Sequence, residues 1–148
     1  MTRTLTDFQG RWRMSRRIED ANAGSTGRFE GVAVFTPTPN GLIYDEAGEL
    51  RLPSGPARQT GQAGLHATRR YLWQQDDDYD QGGVLVQFAD GRDFHRINLG
   101  QDTSTAFHDC PPDQYEVSYT FTRWPDWRAT WRVYGPKKNY MMFTDYIR

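Results

Sequence analysis

The chain has 148 residues, 36% hydrophobic and 25% charged, with a net charge of −1. That composition fits one globular domain over residues 1–148, long enough to bury a core, and excludes a disordered chain. Charges alternate in sign with no basic stripe, which excludes a phosphate-backbone (nucleic-acid) partner, and no segment approaches the roughly 20 apolar residues of a membrane span.

The predicted elements begin with one helical turn at Leu5 to Phe8. Period-2 alternation then predicts strands near 11–19, 28–36, 41–52, 65–75, 83–89, 92–99, 103–110, 114–123, 127–135 and 138–147. The breaks carry turn residues: Asn22-Ala23-Gly24, Pro37 to Gly41, Asp76 to Gly83, Asp90-Gly91, Gly100 to Asp102, Pro111-Pro112-Asp113, Pro125-Asp126 and Gly135-Pro136. Short loops without crossover helices mean a meander, and a long meander closes to remove its edges. The fold class is therefore all-β, a single antiparallel meander barrel of about ten strands with at most a short N-terminal helical turn.

Alternation also assigns faces. Tyr115, Val117, Tyr119 and Phe121 share one side, opposed by Glu116, Ser118, Thr120 and Thr122. Trp127, Ala129, Trp131 and Val133 likewise oppose Arg128, Thr130 and Arg132. Upstream, Trp12, Met14, Arg16 and Ile18 form one set, Leu42, Tyr44 and Glu46 another, and Ala67, Arg69, Tyr71 and Trp73 a third. A two-residue hairpin at Asp90-Gly91 pairs Ala89 with Arg92 and puts Val84, Val86, Phe88, Asp93, His95 and Ile97 on one face. A two-residue turn at Gln101-Asp102 then sets Asp93, His95 and Ile97 opposite Cys110, His108 and Ala106. A four-residue loop at Pro111 to Gln114 places Tyr115 beside Cys110 and Val117 beside His108. A turn one residue longer would flip a whole strand.

Gly10-Arg11-Trp12 is similar to the Gly-x-Trp signature of lipocalins. The chain more specifically resembles a bacterial domain-of-unknown-function family with a lipocalin/calycin-like barrel. The resemblance covers nearly the whole chain through Gly10-x-Trp12, Tyr44-x-Glu46-x-Gly48, Arg69-x-Tyr71-x-Trp73, Phe88-x-Asp90-Gly91-Arg92-x-Phe94-His95, His108-x-Cys110-x-x-Asp113-x-Tyr115 and Gly135-Pro136-x-Lys138-x-Tyr140. It implies the barrel and no activity. The chain carries no apolar stretch of signal-peptide length over Met1 to Gly10, and the lone Cys110 cannot form an internal disulfide. Both observations predict a cytoplasmic protein.

Several constellations carry chemistry. Arg69-x-Tyr71 offers a planar fork and a phenol on one face, with Arg16 nearby, suited to a carboxylate. Intracellular lipid-binding barrels hold carboxylates with a similar pair on their last strand. The alternative is an internal ion pair of Arg16 or Arg69 with Glu46, because a buried Arg requires a partner. Asp93, His95, His108 and Cys110 are residue types that suit zinc, and either histidine suits haem as in nitrobindin-like barrels. The competing reading is hydrogen-bonded core histidines beside a thiol, with no metal and no cofactor. Cys110 and His108 could pair as nucleophile and base, and Glu46 with His95 or His108 could supply acid–base groups. Asp76, Asp78 and Asp80 fail as a calcium loop because Gln81 stands where glycine is needed. Gly135-Pro136-Lys137-Lys138 lacks the hydroxyl residue of a phosphate loop.

The leading expectation is an intracellular binding barrel for a small, partly apolar, anionic molecule. Its expected lining is Arg16, Tyr44, Arg69, Tyr71, Trp73, His95, His108, Tyr115, Tyr119 and Trp131. The alternatives are a lyase- or isomerase-type enzyme using Glu46 with His95 or His108, and an interaction module with a filled lumen. A small-molecule ligand is the expected partner, with neither nucleic acid nor membrane, and a homodimer is compatible with the chain.

Overall fold

The protein is described by a computed structural model covering residues 3–52, 64–79 and 82–148. Asp80 and Gln81 of the acidic turn, and Met1 and Thr2, lie outside the described residues. A single-turn 3-10 helix, Leu5–Phe8, precedes ten strands. They are β1 (Gly10–Asp20), β2 (Ser25–Thr38), β3 (Gly41–Arg51), β4 (Leu65–Asp76), β5 (Gly83–Phe88), β6 (Asp93–Asn98), β7 (Thr103–Cys110), β8 (Asp113–Thr120), β9 (Trp127–Tyr134) and β10 (Asn139–Ile147). No described helix is long and apolar enough to cross a membrane.

All ten strands belong to one sheet, ordered β6-β5-β4-β3-β2-β1-β10-β9-β8-β7. The first and last strands pair antiparallel from Arg13↔Ile147 to Asp20↔Tyr140, which curls the meander into a nearly closed barrel. The expected β6–β7 ladder does not form. These strands are the two edges of the sheet, joined where the Asn98 N–H donates to Ser104 Oγ at 2.9 Å. The loop from Leu99 to Asp102 lets β7 leave the register that a two-residue turn would impose.

The Asp90-Gly91 hairpin also differs from expectation. Ala89, Asp90 and Gly91 form a three-residue loop in which the Phe88 N–H donates to the Arg92 carbonyl and Gly91 sits at φ 93°. The shift pairs Gln87 with Asp93, so Asp93 faces outward and accepts from Gln87 Nε2 at 3.0 Å. An irregularity in the ladder follows, which restores Val86↔His95 and buries Phe94 and His95 together. Nothing lies within 4 Å of a Cβ added to Gly91, so Gly91→Ala isolates backbone strain. It should cost about 1–2 kcal/mol in urea unfolding, with no change in m.

Between β7 and β8 the loop is only Pro111-Pro112, giving Cys110↔Asp113 and His108↔Tyr115. The expected pairing is displaced by two residues, and a displacement of two leaves every inner side chain inward. The other faces agree with the alternation: Trp12, Met14, Tyr44, Glu46, Trp73, Val117, Tyr119, Trp127 and Ala129 are all buried. Gly31 and Gly48 face each other on β2 and β3. A Cβ on Gly31 would run into the Ala47 carbonyl, and one on Gly48 into the Glu30 carbonyl, so only glycine permits this approach.

One end of the barrel is plugged. The 3-10 turn drops the fully buried Phe8 ring among Trp73 (5.4 Å between centroids), Trp124 (4.9 Å) and Trp127 (5.3 Å). Trp12 Nε1 donates to the Phe8 carbonyl at 2.8 Å, so the most buried indole spends its polar group holding the plug. Arg3 lies 4.6 Å from the Phe121 ring and donates to the Gln101 carbonyl at 2.6 Å, covering the same end.

Candidate ligand-binding cavity

A cavity of about 470 Å³ runs from the plug toward the opposite end of the barrel. Its lining includes Arg16, Tyr44, Arg69, Tyr71, Trp73, His95, His108, Tyr115, Tyr119 and Trp131, the ten residues expected to line the lumen, together with the acid–base candidate Glu46. Their chemistry falls into three regions, because each strand contributes every second residue at successive depths.

The middle region holds a buried charge pair. Arg16 Nη1 and Nη2 donate to Glu46 Oε2 and Oε1 at 2.9 and 3.0 Å, and Arg16 Nε donates to Thr144 Oγ1 at 2.8 Å. Their side chains are 14% and 6% exposed. Burial pushes the Glu46 carboxyl up, but the hydrogen bonds and charge of Arg16, with help from Tyr44, outweigh it and hold the group below its ordinary value. Burial likewise opposes the Arg16 charge, and Glu46 more than compensates. Tyr44 donates to Glu46 Oε1 at 2.6 Å, which spends its only proton. The 2.8 Å contact between the Tyr44 and Tyr146 hydroxyls is therefore a donation from Tyr146. Burial raises Tyr44 well above its ordinary value and Tyr146 to about 12.

On the other wall, His95 Nε2 meets the Tyr119 hydroxyl at 2.8 Å. The imidazole is 6% exposed, and its Nδ1 has no hydrogen-bond partner among the described residues. Burial first, and the His108 charge second, push His95 down to about 3, so it is neutral at pH 7. Phe94 packs edge-on against both His95 (4.6 Å) and His108 (5.1 Å). With Asp93 turned outward, the anticipated Asp–His–His–Cys cluster is not assembled. No group of three or more His, Cys, Asp or Glu among the described residues is placed to hold a metal. Cys110 is exposed, and no hydrogen bond joins it to His108 among the described residues.

The open end is cationic. Arg69 Nη1 donates to the Tyr71 hydroxyl at 3.1 Å, and no carboxylate pairs with it among the described residues. Segment 53–63 contains no Asp or Glu. Lys138 is paired with Asp113 at 3.1 Å and Arg92 with Asp90 at 2.8 Å. Aromatic faces continue inward: Phe88 stacks on Phe94 at 4.3 Å, and Phe94 on Trp131 at 5.2 Å.

The sequence reading missed Phe94, Tyr140 and Tyr146. Phe94 enters the lumen only through the bulge, which alternation conceals. Tyr140 and Tyr146 had a signal, since Tyr140, Met142, Thr144 and Tyr146 alternate on β10 and Tyr146 pairs with Trp127.

The sequence profile of a family of unknown function (DUF6314) matches residues 8–148. The chain belongs to that family. The search of the curated proteins finds no match. Among solved structures, the DUF6314 barrel is similar to the S-type phycobiliprotein lyase CPES from Guillardia theta. The TM-score is 0.62 at 9% identity, over 97% of this chain and 89% of the lyase chain. At that identity the similarity establishes a shared fold.

Proposed function

We propose that this DUF6314 protein is an intracellular binding barrel for a small, partly apolar, anionic molecule held in the lumen. The observation that carries the reading is Arg69, a guanidinium at the open end with a phenol beside it and no carboxylate paired to it among the described residues. A planar fork next to a hydroxyl matches a carboxylate. Tyr71, Phe94, Tyr115 and Trp131 supply flat apolar surface beneath it. Arg16 contributes little to ligand charge, because Glu46 already neutralises it.

A cavity of about 470 Å³ argues against a lumen filled by its own side chains. Glu46 is a poor candidate for general base: it accepts from Arg16 and Tyr44, and those bonds favour the carboxylate over its protonated form. The named chemistry of the lyase belongs to that protein, and the ligand class proposed here rests on this chain's own residues. The exposed, unpaired Cys110 fits a reducing compartment.

Decanoate, titrated calorimetrically, tests the reading. The native protein should bind it, and Arg69→Met should weaken binding at least tenfold while changing unfolding stability by under about 1 kcal/mol, since the side chain is exposed. Unchanged affinity in the variant would discard the carboxylate clamp.

A further inference from the structure

His95 is the buried polar group that the anion reading leaves unused. Its ring lines the cavity, it is more than nine-tenths buried, and one of its nitrogens has no partner among the described residues. Native proteins leave few buried polar atoms unpaired, and each one calls for a physical explanation. We propose that His95 and Tyr119 form a second polar subsite, deep in the lumen, for a neutral hydrogen-bonding group at the far end of the ligand. The inference rests on the anion reading above and extends it from one polar end to two.

The pair is suited to a group that both donates and accepts. A proton on Nδ1 would be a buried donor with no acceptor, because that atom is sealed from the lumen as well as unpartnered among the described residues, so the tautomer favoured carries its proton on Nε2. That Nε2–H donates to the Tyr119 oxygen, which leaves the phenol proton free to give. The phenol then has one donor unspent and a second lone pair to accept with, which an alcohol-type hydroxyl can meet. Burial keeps the imidazole neutral, so the subsite adds no charge and a second anionic group gains nothing there.

Depth supports the pairing of the two ends. His95 pairs with Val86, and Val86 with Trp73, whereas Arg69 lies four residues earlier on β4. That separation is roughly 13 Å along the strand. An extended ten-carbon acid with a terminal hydroxyl reaches from one subsite to the other. The wall between them is aromatic: His95 lies edge-on to Trp131 at 5.3 Å, and Phe94 stacks on the same indole.

The probes are decanoate and ω-hydroxydecanoate, compared by calorimetry on the whole protein. A terminal hydroxyl ordinarily weakens binding to an apolar lumen, because it must leave water unpaired. Here the hydroxy acid should bind at least threefold tighter than decanoate. In His95→Phe the order should invert, with the hydroxy acid the weaker of the two and at least tenfold below its own native affinity. Nitrogen-15 NMR of the native protein gives a readout independent of the variant. The His95 ring resonances should move with ω-hydroxydecanoate and stay in place with decanoate. Preference for decanoate by the native protein, an unchanged preference in His95→Phe, or identical His95 shifts with both acids would overturn the subsite and leave the Arg69 reading standing. Failure of both acids to bind would overturn the two readings together.

Discussion

Arg16→Met is expected to lower the stability of the barrel by about 3–5 kcal/mol, because it strands the Glu46 carboxylate in the lumen wall without its counter-charge. At about 2–4 °C per kcal/mol for a chain of this size, the melting temperature falls by roughly 6–20 °C. The double variant Arg16→Met with Glu46→Leu removes both charges and should recover most of the loss, since an apolar pair of similar volume is often as stable as a buried ion pair. The pH dependence gives an independent check. In the native protein Glu46 titrates below its ordinary value of 4.5, so its contribution is fully present above that pH and is lost as the pH falls through the folded value. In Arg16→Met the same carboxyl is buried without the guanidinium, its value rises, and the variant becomes progressively less stable as the pH climbs above 4.5. The gap in melting temperature between the two proteins should therefore widen from pH 4 to pH 7. A gap independent of pH would mean that Arg16 acts through packing alone.

The same pair shows which parts of the site sequence alone can reveal. Alternation places Arg16 and Glu46 on inner faces, because a strand has only two sides. It does not choose between Arg16 and Arg69 as the partner of Glu46. The choice depends on β2, which separates β1 from β3 and presents Gly31 and Ala33 inward. Over those small residues the Arg16 side chain crosses to Glu46, passing 5.2 Å from the Phe29 ring. Arg69 pairs across the ladder with Glu46, yet its guanidinium turns to Tyr71. Strand faces were legible for the same reason that the Pro111-Pro112 loop was forgiving, since a two-residue error preserves parity. The Asp90-Gly91 loop was unforgiving. One added residue turned Asp93 outward, and the compensating bulge brought Phe94 in, so the metal-type cluster dissolved while His95 kept its place. The seam between β6 and β7 was equally hidden, because strands adjacent in sequence ordinarily pair.

The second large effect concerns the plug. Phe8→Ala is expected to cost about 3–5 kcal/mol, the usual range for deleting a fully buried phenyl ring. The hole would be walled by Phe35, Trp73, Phe121, Trp124 and Trp127, whose ring centroids now lie within 6.0 Å of Phe8. These rings come from β2, β4, β9 and the connection between β8 and β9 and pack on one another, Phe35 on Trp73 at 4.8 Å for example, so the site cannot collapse freely. An apolar hole of that kind stays dry and accepts a small apolar guest. Benzene at saturation should therefore raise the melting temperature of Phe8→Ala and leave that of the native protein unchanged. Decanoate affinity separates the two ends of the barrel: Arg69 and Tyr71 stand at the opposite mouth, so the variant should bind the acid within threefold of the native protein under conditions where it is folded. A loss below about 1 kcal/mol would show that the 3-10 turn merely rests on the barrel. A collapse of decanoate binding in the folded variant would show instead that Phe8 sets the shape of the whole lumen through Trp73, the one ring among the described residues that touches the plug and lines the cavity as well.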